Sequence, residues 1–325
     1  MPLLKNQLTT SFPFRNPHVN TIYKFFTTKE KPNYKRVRVN TWDNDFIDLD
    51  FLPNNSFSLI VLIHGLEGSS QSSYMISTAN YLHNMGYDVV CINLRSCSGE
   101  DNNILKTYHA GKTDDVHFIL KYLEEHYDYQ NIILSGFSLG GNLTLKYLGE
   151  YEDQIPSVVK GGIAVSVPID LTSSQAELSK LKNKLYMQEF LRTLKAKVNL
   201  KAQKFDEFNP DKKLIAKASS FRDFEEIYTA PVFGFDSPED YWEKASSKPY
   251  LKHIKHKTLL INAKDDSFLS IECYPYELAE NSSNFFLITP RYGGHVGFVS
   301  SFNDQSYWIE KQFVNFIQNE LNIYS

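Results

Sequence analysis

Short apolar runs alternate along the chain with longer segments whose apolar residues recur every three or four positions. "YKRVRV" (34–39) and "DFIDLDFL" (45–52) change character at every second residue, which predicts two antiparallel strands. "SLIVLIHG" (58–65), "DVVCINL" (88–94), "NIILSGF" (131–137) and "VKGGIAVSV" (159–167) are nearly continuous apolar runs of strand length, as expected of strands covered on both faces. Between them "SSYMISTANYLHNMGY" (72–87) has a helical period. "KTDDVHFILKYLEEHY" (112–127) puts Val116, Ile119, Leu120 and Leu123 on one helical face, with Thr113 as the N-cap. From Lys257 the pattern continues with "KTLLINA" and "NFFLITP" as strands and "SYWIEKQFVNFIQNEL" as a closing helix. Strands alternating with helices predict an α/β fold, a mostly parallel sheet with helices on both faces.

The alternation stops between Pro168 and Pro249. This stretch is polar and helical in pattern, with Met187, Phe190, Leu191, Leu194 and Val198 as an apolar stripe. It predicts a helical cap, residues 168–249, inserted into a single domain of 1–325 and lying over one end of the sheet. From Lys180 to Lys217 the cap has eleven Lys/Arg and four Asp/Glu, although the chain's net charge is -4. This basic face is read either as a solvated lid surface or as a weak contact for anionic lipid.

Composition narrows the classes. With 325 residues, 42% hydrophobic and 22% charged, the chain can bury a large core. Its slightly acidic balance gives no footprint for nucleic acid. The first twenty residues have no apolar signal-peptide core, and no run approaches the ~18 residues of a membrane span. The three cysteines, Cys91, Cys97 and Cys273, include no CxxC, so neither a disulfide framework nor a zinc site is expected and the cytoplasm is the expected compartment. Oligomeric state stays open.

The chemistry concentrates in "LSGFSLGGN" (134–142), a G-x-S-x-G motif between a predicted strand and helix. Gly136 and Gly140 clear the space around Ser138, so that a tight turn can present its hydroxyl at the carboxyl edge of the sheet. The Leu139 amide, at the helix N-terminus, points where an oxyanion would form. In this arrangement an acid and then a histidine follow the serine. Of nine histidines, His295 alone lies in a glycine-flanked loop after both the serine and a strand-end acid. Asp265 and Asp266 compete to orient it. The Ala263-x-x-Asp266 spacing favours Asp266, leaving Asp265 as a turn or solvent residue. "HGLEGS" (64–69) would supply the second oxyanion donor through the Leu66 amide, with His64 as a structural loop residue. His83-x4-Asp88 has a spacing associated with acyltransferases, but it falls away from Ser138 and is read as chance.

These motifs, with "NLRSCSGEDN", "TYHAGKTDD", "AKDDSF", "GGHVGF", "FRNPHVNTIY" and "APVFGFDSPEDYW", together resemble the YheT-like branch of the α/β hydrolases over nearly the whole chain. The resemblance implies an eight-stranded sheet with a helical cap and a triad that maps to Ser138, Asp266 and His295. It also implies activity on carboxylic esters or small glycerolipids, or acyl transfer to alcohols. "SCSG" departs from the family's Gly-Cys-Ser-Gly, with Ser96 in the first position. In the same loop region Arg95, Glu100 and His109 either shape the pocket or form a salt-bridged support. The expected function is hydrolysis of short- to medium-chain esters through an acyl-enzyme on Ser138, with a small-molecule ester as partner and no cofactor or metal. The alternatives are acyl transfer to an alcohol and a non-catalytic binding protein of the same fold.

Overall fold

In the computed structural model, residues 3–4, 8–26, 30–304 and 306–325 are described; part of the N-terminal stretch read for a signal peptide lies outside them. Eight strands form one sheet: β1 (Lys35–Asn40), β2 (Phe46–Leu52), β3 (Ser58–Ile63), β4 (Asp88–Asn93), β5 (Asn131–Phe137), β6 (Val159–Val165), β7 (Lys257–Ile261) and β8 (Phe285–Ile288). Their order is β1-β2-β4-β3-β5-β6-β7-β8, and from β4 to β8 every pairing is parallel. β2 runs antiparallel to both its neighbours, so the two alternating strands pair as expected. The polar side of β2 does not face water, however. Asp48 and Asp50 are buried opposite Arg38 and Arg36, and each pair is bidentate at 2.7–2.8 Å.

The central strands carry apolar side chains on both faces because helices cover both. Leu59, Val61 and Ile63 of β3 pack in a core with α3 (Thr113–His126) and α4 (Leu139–Glu150). Ile60 and Leu62 pack on the opposite face with α2 (Ser73–Asn84) and α12 (Trp308–Asn319). Thr113 is not the cap of α3. It is the first helical residue, and its hydroxyl donates to Glu150 instead. A helix absent from the sequence reading, α1 (Pro17–Phe26), crosses the carboxyl edge of the sheet.

The segment between β6 and β7 forms α5 (Leu171–Leu178), α6 (Lys184–Lys204), α7 (Lys212–Lys217), α8 (Phe221–Ile227), α9 (Thr229–Phe233) and α10 (Pro238–Ala245). α11 (Tyr276–Asn281) follows β7. The apolar stripe of α6 divides. Met187, Leu191 and Val198 pack with Phe208, Ile215 and Phe224 in a separate core that Phe190 and Leu194 also touch, while Phe190, Leu194 and Val198 line a cavity over the sheet edge and Met187 and Leu191 do not. The basic face divides as well. Lys201 is fully buried against the carbonyls of Asn102 and Ile104 and the Asp101 carboxylate, and Lys204 reaches the same loop. These lysines bind the segment after β4, so the local charge surplus overstates what faces outward. None of the described helices is long and apolar enough to cross a membrane.

Candidate active site

Because β3 to β8 run parallel, the loops leaving β3, β5, β7 and β8 emerge along one edge. Ser138 stands there between β5 and α4 with φ 52° and ψ −117°, a conformation that a side-chain-bearing residue holds only when its surroundings enforce it. The surroundings do so. A Cβ on Gly136 would collide with the Gly140 carbonyl, and one on Gly140 would lie 2.5 Å from the His64 carbonyl oxygen, so the crossing of strand and helix requires both glycines. The Ser138 amide donates to Val165 O at 2.8 Å, which ties the turn to β6.

His295 Nε2 lies 2.9 Å from Ser138 Oγ, and its Nδ1 lies 2.8 Å from Asp266 Oδ2. With the ionised carboxylate accepting from Nδ1–H, Nε2 is left to accept the serine proton. Asp266 is buried, and its second oxygen accepts the Phe268 amide at 2.9 Å. The Phe268 ring stacks on the imidazole at 4.2 Å. The competition between the aspartates is thereby resolved in geometry: Asp266 meets the ring. Asp265 is a turn residue, but a half-buried one rather than a solvated one. Its Oδ1 accepts the Gly294 amide at 3.0 Å, beside the histidine. Burial pushes its carboxyl up to about 6, against the pull of that amide and with Asp266 adding to the rise.

The histidine loop is held from behind by α1, whose role only the "FRNPHVNTIY" resemblance hinted at. Thr21 Oγ1 accepts the His295 amide at 2.8 Å, and the Asn20 side chain bonds both the amide and the carbonyl of Val299 at 3.0 Å. Glycine is required at 294, where φ is +56° and a Cβ would fall 2.5 Å from Pro17 O. From the other side Ser166 Oγ accepts the Val296 amide at 2.9 Å.

The "HGLEGS" turn packs against Ser138, so closely that a Cβ on Gly65 would be 3.2 Å from the serine Cβ. Its amides are nearly all used. Gly65 N donates to Tyr74 OH, Glu67 N to Tyr108 OH and Gly68 N to Gly65 O. Leu66 N has no partner among the described residues, nor has Leu139 N, and both residues line the cavity with Ser138. Two free amides beside a serine hydroxyl can bind an oxygen anion. His64 braces the turn: its Nε2 accepts the Leu94 amide, so Nδ1–H donates to Gly65 O at 2.7 Å. Burial lowers its pKa to about 4 and keeps it neutral.

Sequence reasoning did not find the cap's hold on this turn. Lys197 of α6 reaches Glu67 Oε1 at 2.8 Å, and the Tyr108 hydroxyl donates to the same oxygen at 2.7 Å. The residues weighed after β4 have three different fates. Arg95 is buried in ion pairs with Asp43, Asp45 and Asp115, Glu100 is an exposed partner of Arg38, and His109 lines the cavity. Ser96 has φ +62°, the left-handed geometry that accounts for glycine at that place in the family pattern. His83 and Asp88 lie at the opposite edge, His83 in the last turn of α2 and Asp88 at the start of β4. The three cysteines are buried and unpaired, and no group of three or more metal-ligating side chains occurs among the described residues. The cavity itself, about 130 Å³, lies between the sheet edge and the cap, with Ser138, Leu66 and Leu139 against Phe190, Phe221 and Phe268.

A mostly parallel eight-stranded sheet, with a strained serine elbow at its carboxyl edge and a helical segment over it, defines the α/β hydrolase class of folds. The model of the α/β hydrolase fold family matches residues 58–301, and the chain belongs to that family. It is 28% identical to YheT of Escherichia coli over 95% of this chain and 92% of that one. It is 29% identical to human phospholipase ABHD3 over 90% and 74% of the two chains. Among solved structures it is similar to a Pyrococcus furiosus esterase, with a TM-score of 0.61 at 19% identity covering 88% and 90%, a likeness of fold.

Proposed function

We propose that the protein hydrolyses carboxylic esters through an acyl-enzyme on Ser138. The observation that carries this reading is the unbroken chain of hydrogen bonds from Asp266 through His295 to Ser138, at 2.8 and 2.9 Å. Ser138 Oγ attacks the ester carbonyl while His295 Nε2 takes its proton, and the Leu66 and Leu139 amides hold the resulting oxyanion. Collapse breaks the ester C–O bond, and His295 returns the proton to the departing alcohol. Water then attacks the acyl-enzyme with His295 again as base, releasing the acid and restoring the serine hydroxyl. Asp266 keeps the imidazole in the productive tautomer. No step calls for a cofactor or metal. The names of similar proteins, an esterase and a phospholipase among them, support ester chemistry.

A space of about 130 Å³ is close to the volume known to hold one benzene molecule, which favours short acyl chains. A fluorophosphonate probe should label the wild type and leave a folded Ser138→Ala unlabelled, and p-nitrophenyl esters should be turned over best at short chain length. A folded wild type that neither labels nor hydrolyses any ester refutes the reading. Ester formation at high alcohol concentration would instead show transfer by the same groups.

A further inference from the structure

Several acidic side chains held out of water in this protein carry a counter-charge. Asp45 and Asp115 lie on Arg95, Asp48 on Arg38, Asp50 on Arg36 and Glu67 on Lys197. Glu225 of α8 does not. It lines the same cavity as Ser138, in a part of the wall shared with Tyr228, Tyr241 and Trp242. Its Oε2 accepts the Trp242 indole N–H, and its Oε1 has no protein partner among the described residues. The neighbouring Arg222 is committed to Glu226 and Glu239. Burial pushes the Glu225 carboxyl well above the usual carboxylate range, with the indole pulling against it and Glu239 adding to the rise. An environment that favours the protonated form lets the unpartnered oxygen of this carboxyl donate a hydrogen bond to whatever fills the space.

We propose that Glu225 forms a substrate-binding subsite, in which its unpartnered oxygen hydrogen-bonds an uncharged hydroxyl or carbonyl oxygen carried by the ester away from the scissile bond. The inference rests on the hydrolase reading and narrows its substrates to small esters bearing a second polar oxygen. An alkyl group placed there would leave the carboxyl unanswered, so the site discriminates by the group the ligand lacks. Two sources can supply the oxygen, the alcohol part or the far end of the acyl chain.

Both sources can be compared directly in kcat/KM: 2-hydroxyethyl butyrate against ethyl butyrate, and ethyl 6-hydroxyhexanoate against ethyl hexanoate. The wild type should favour one hydroxylated ester by roughly tenfold, the worth of one hydrogen bond. Glu225→Gln, which keeps a donor, should preserve the preference, and Glu225→Leu should abolish it. Fluorophosphonate titration of Ser138 counts folded sites in each variant. Equal rates on both members of both pairs in a wild type that labels normally would overturn the subsite and leave the hydrolase intact. Preference for a choline ester over its neutral isostere, lost in Glu225→Gln, would also overturn it by showing an ionised carboxylate binding a cation. A wild type that neither labels nor hydrolyses would overturn both readings.

Discussion

Replacing Lys197 with Met tests whether the cap holds the oxyanion turn in place. Lys197 Nζ sits 2.8 Å from Glu67 Oε1, with Glu67 only 6% exposed and Lys197 23%. Glu67 follows Leu66 directly and has φ +55°, a left-handed geometry stabilised by the Tyr108 hydroxyl, which binds both its amide and its carboxylate. Removing the lysine leaves a buried carboxylate with one neutral donor. Breaking a fully buried pair costs about 3–5 kcal/mol; partial exposure of the lysine and the remaining Tyr108 bond reduce the expected loss to about 2 kcal/mol. Losing an oxyanion donor outright costs about 10²–10³ in kcat, so a loosened turn should cost about tenfold. Lys197→Arg should recover most of both losses. The double variant Lys197→Met/Glu67→Gln leaves no orphaned charge and should be more stable than the sum of the single changes by about 1–2 kcal/mol. Urea unfolding and kcat/KM on p-nitrophenyl butyrate measure the two effects. Unchanged kcat with lowered stability would make the pair a structural tie alone, and additive stabilities would refute the coupling altogether.

Three further outcomes follow from the same geometry. Gly140→Ala, whose Cβ would be driven against the Ile63 and His64 carbonyls, should fail to accumulate as soluble protein or lose more than about 3 kcal/mol, read by urea unfolding. His64, lowered to about 4 from an ordinary 6.5, is a base that must stay neutral. Its contribution is whole above about pH 6.5 and is lost as pH falls through 4, a swing of about 3 kcal/mol, and in His64→Asn the urea midpoint should lose that acid slope. Asp265, raised to about 6 from 3.8, works in the opposite sense: its protonated form favours the fold below about pH 4, and the benefit fades as pH rises through 6. Asp265→Asn, which keeps an acceptor for Gly294 N, should therefore gain stability over the wild type at pH 8 and none at pH 4 in the same assay.

The strands were legible because both faces of the sheet are covered, which turns each central strand into an apolar run that no helix imitates at that length. Ser138, Asp266 and His295 were legible because a strained elbow and two strand-end loops need particular small residues at particular spacings. The supports of the site were not. Asn20 and Thr21 bind loop backbone near His295, far along the chain, and a polar residue facing inward for that purpose leaves no periodic trace. Counting charge placed the cap lysines on an outer face, solvated or turned to lipid, whereas Lys197 and Lys201 satisfy acceptors beneath the cap. Thr113 had the composition of an N-cap, but Glu150 offered its hydroxyl a better acceptor in a neighbouring helix. Glu225 lies in a stretch read only as polar and helical, and its lack of a counter-charge is visible only in three dimensions.

Backbone strain marks the same edge of the molecule without reference to motifs. Among the described residues, those with positive φ that are neither glycine nor asparagine are Glu67, Ser96, Ser138, Glu152, Ser166, Val296, Phe298 and Tyr307. Glu152 and Tyr307 flank helices, while the other six all follow the carboxyl ends of β3, β4, β5, β6 and β8. Such conformations cost of order 1 kcal/mol or more apiece and persist only where neighbours over-determine them. Here the neighbours are identifiable: Tyr108 for Glu67, Asp101 and Asn102 for Ser96, Val165 for Ser138 and Ile261 for Ser166. Ser166 in turn receives the Val296 amide through its own hydroxyl, so the strained residue after β6 helps to position the loop that carries His295. The strained turns therefore form one interlocked rim: the serine turn is tied to Val165 of β6, the turn after β3 to Tyr108 in the loop after β4, and the histidine loop to Ser166 beyond β6 and Asp265 beyond β7. Such a rim fixes Ser138, His295 and the Leu66 and Leu139 amides at set separations on a rigid scaffold, as the proposed acyl-enzyme chemistry requires, while the cap above it packs around a separate core.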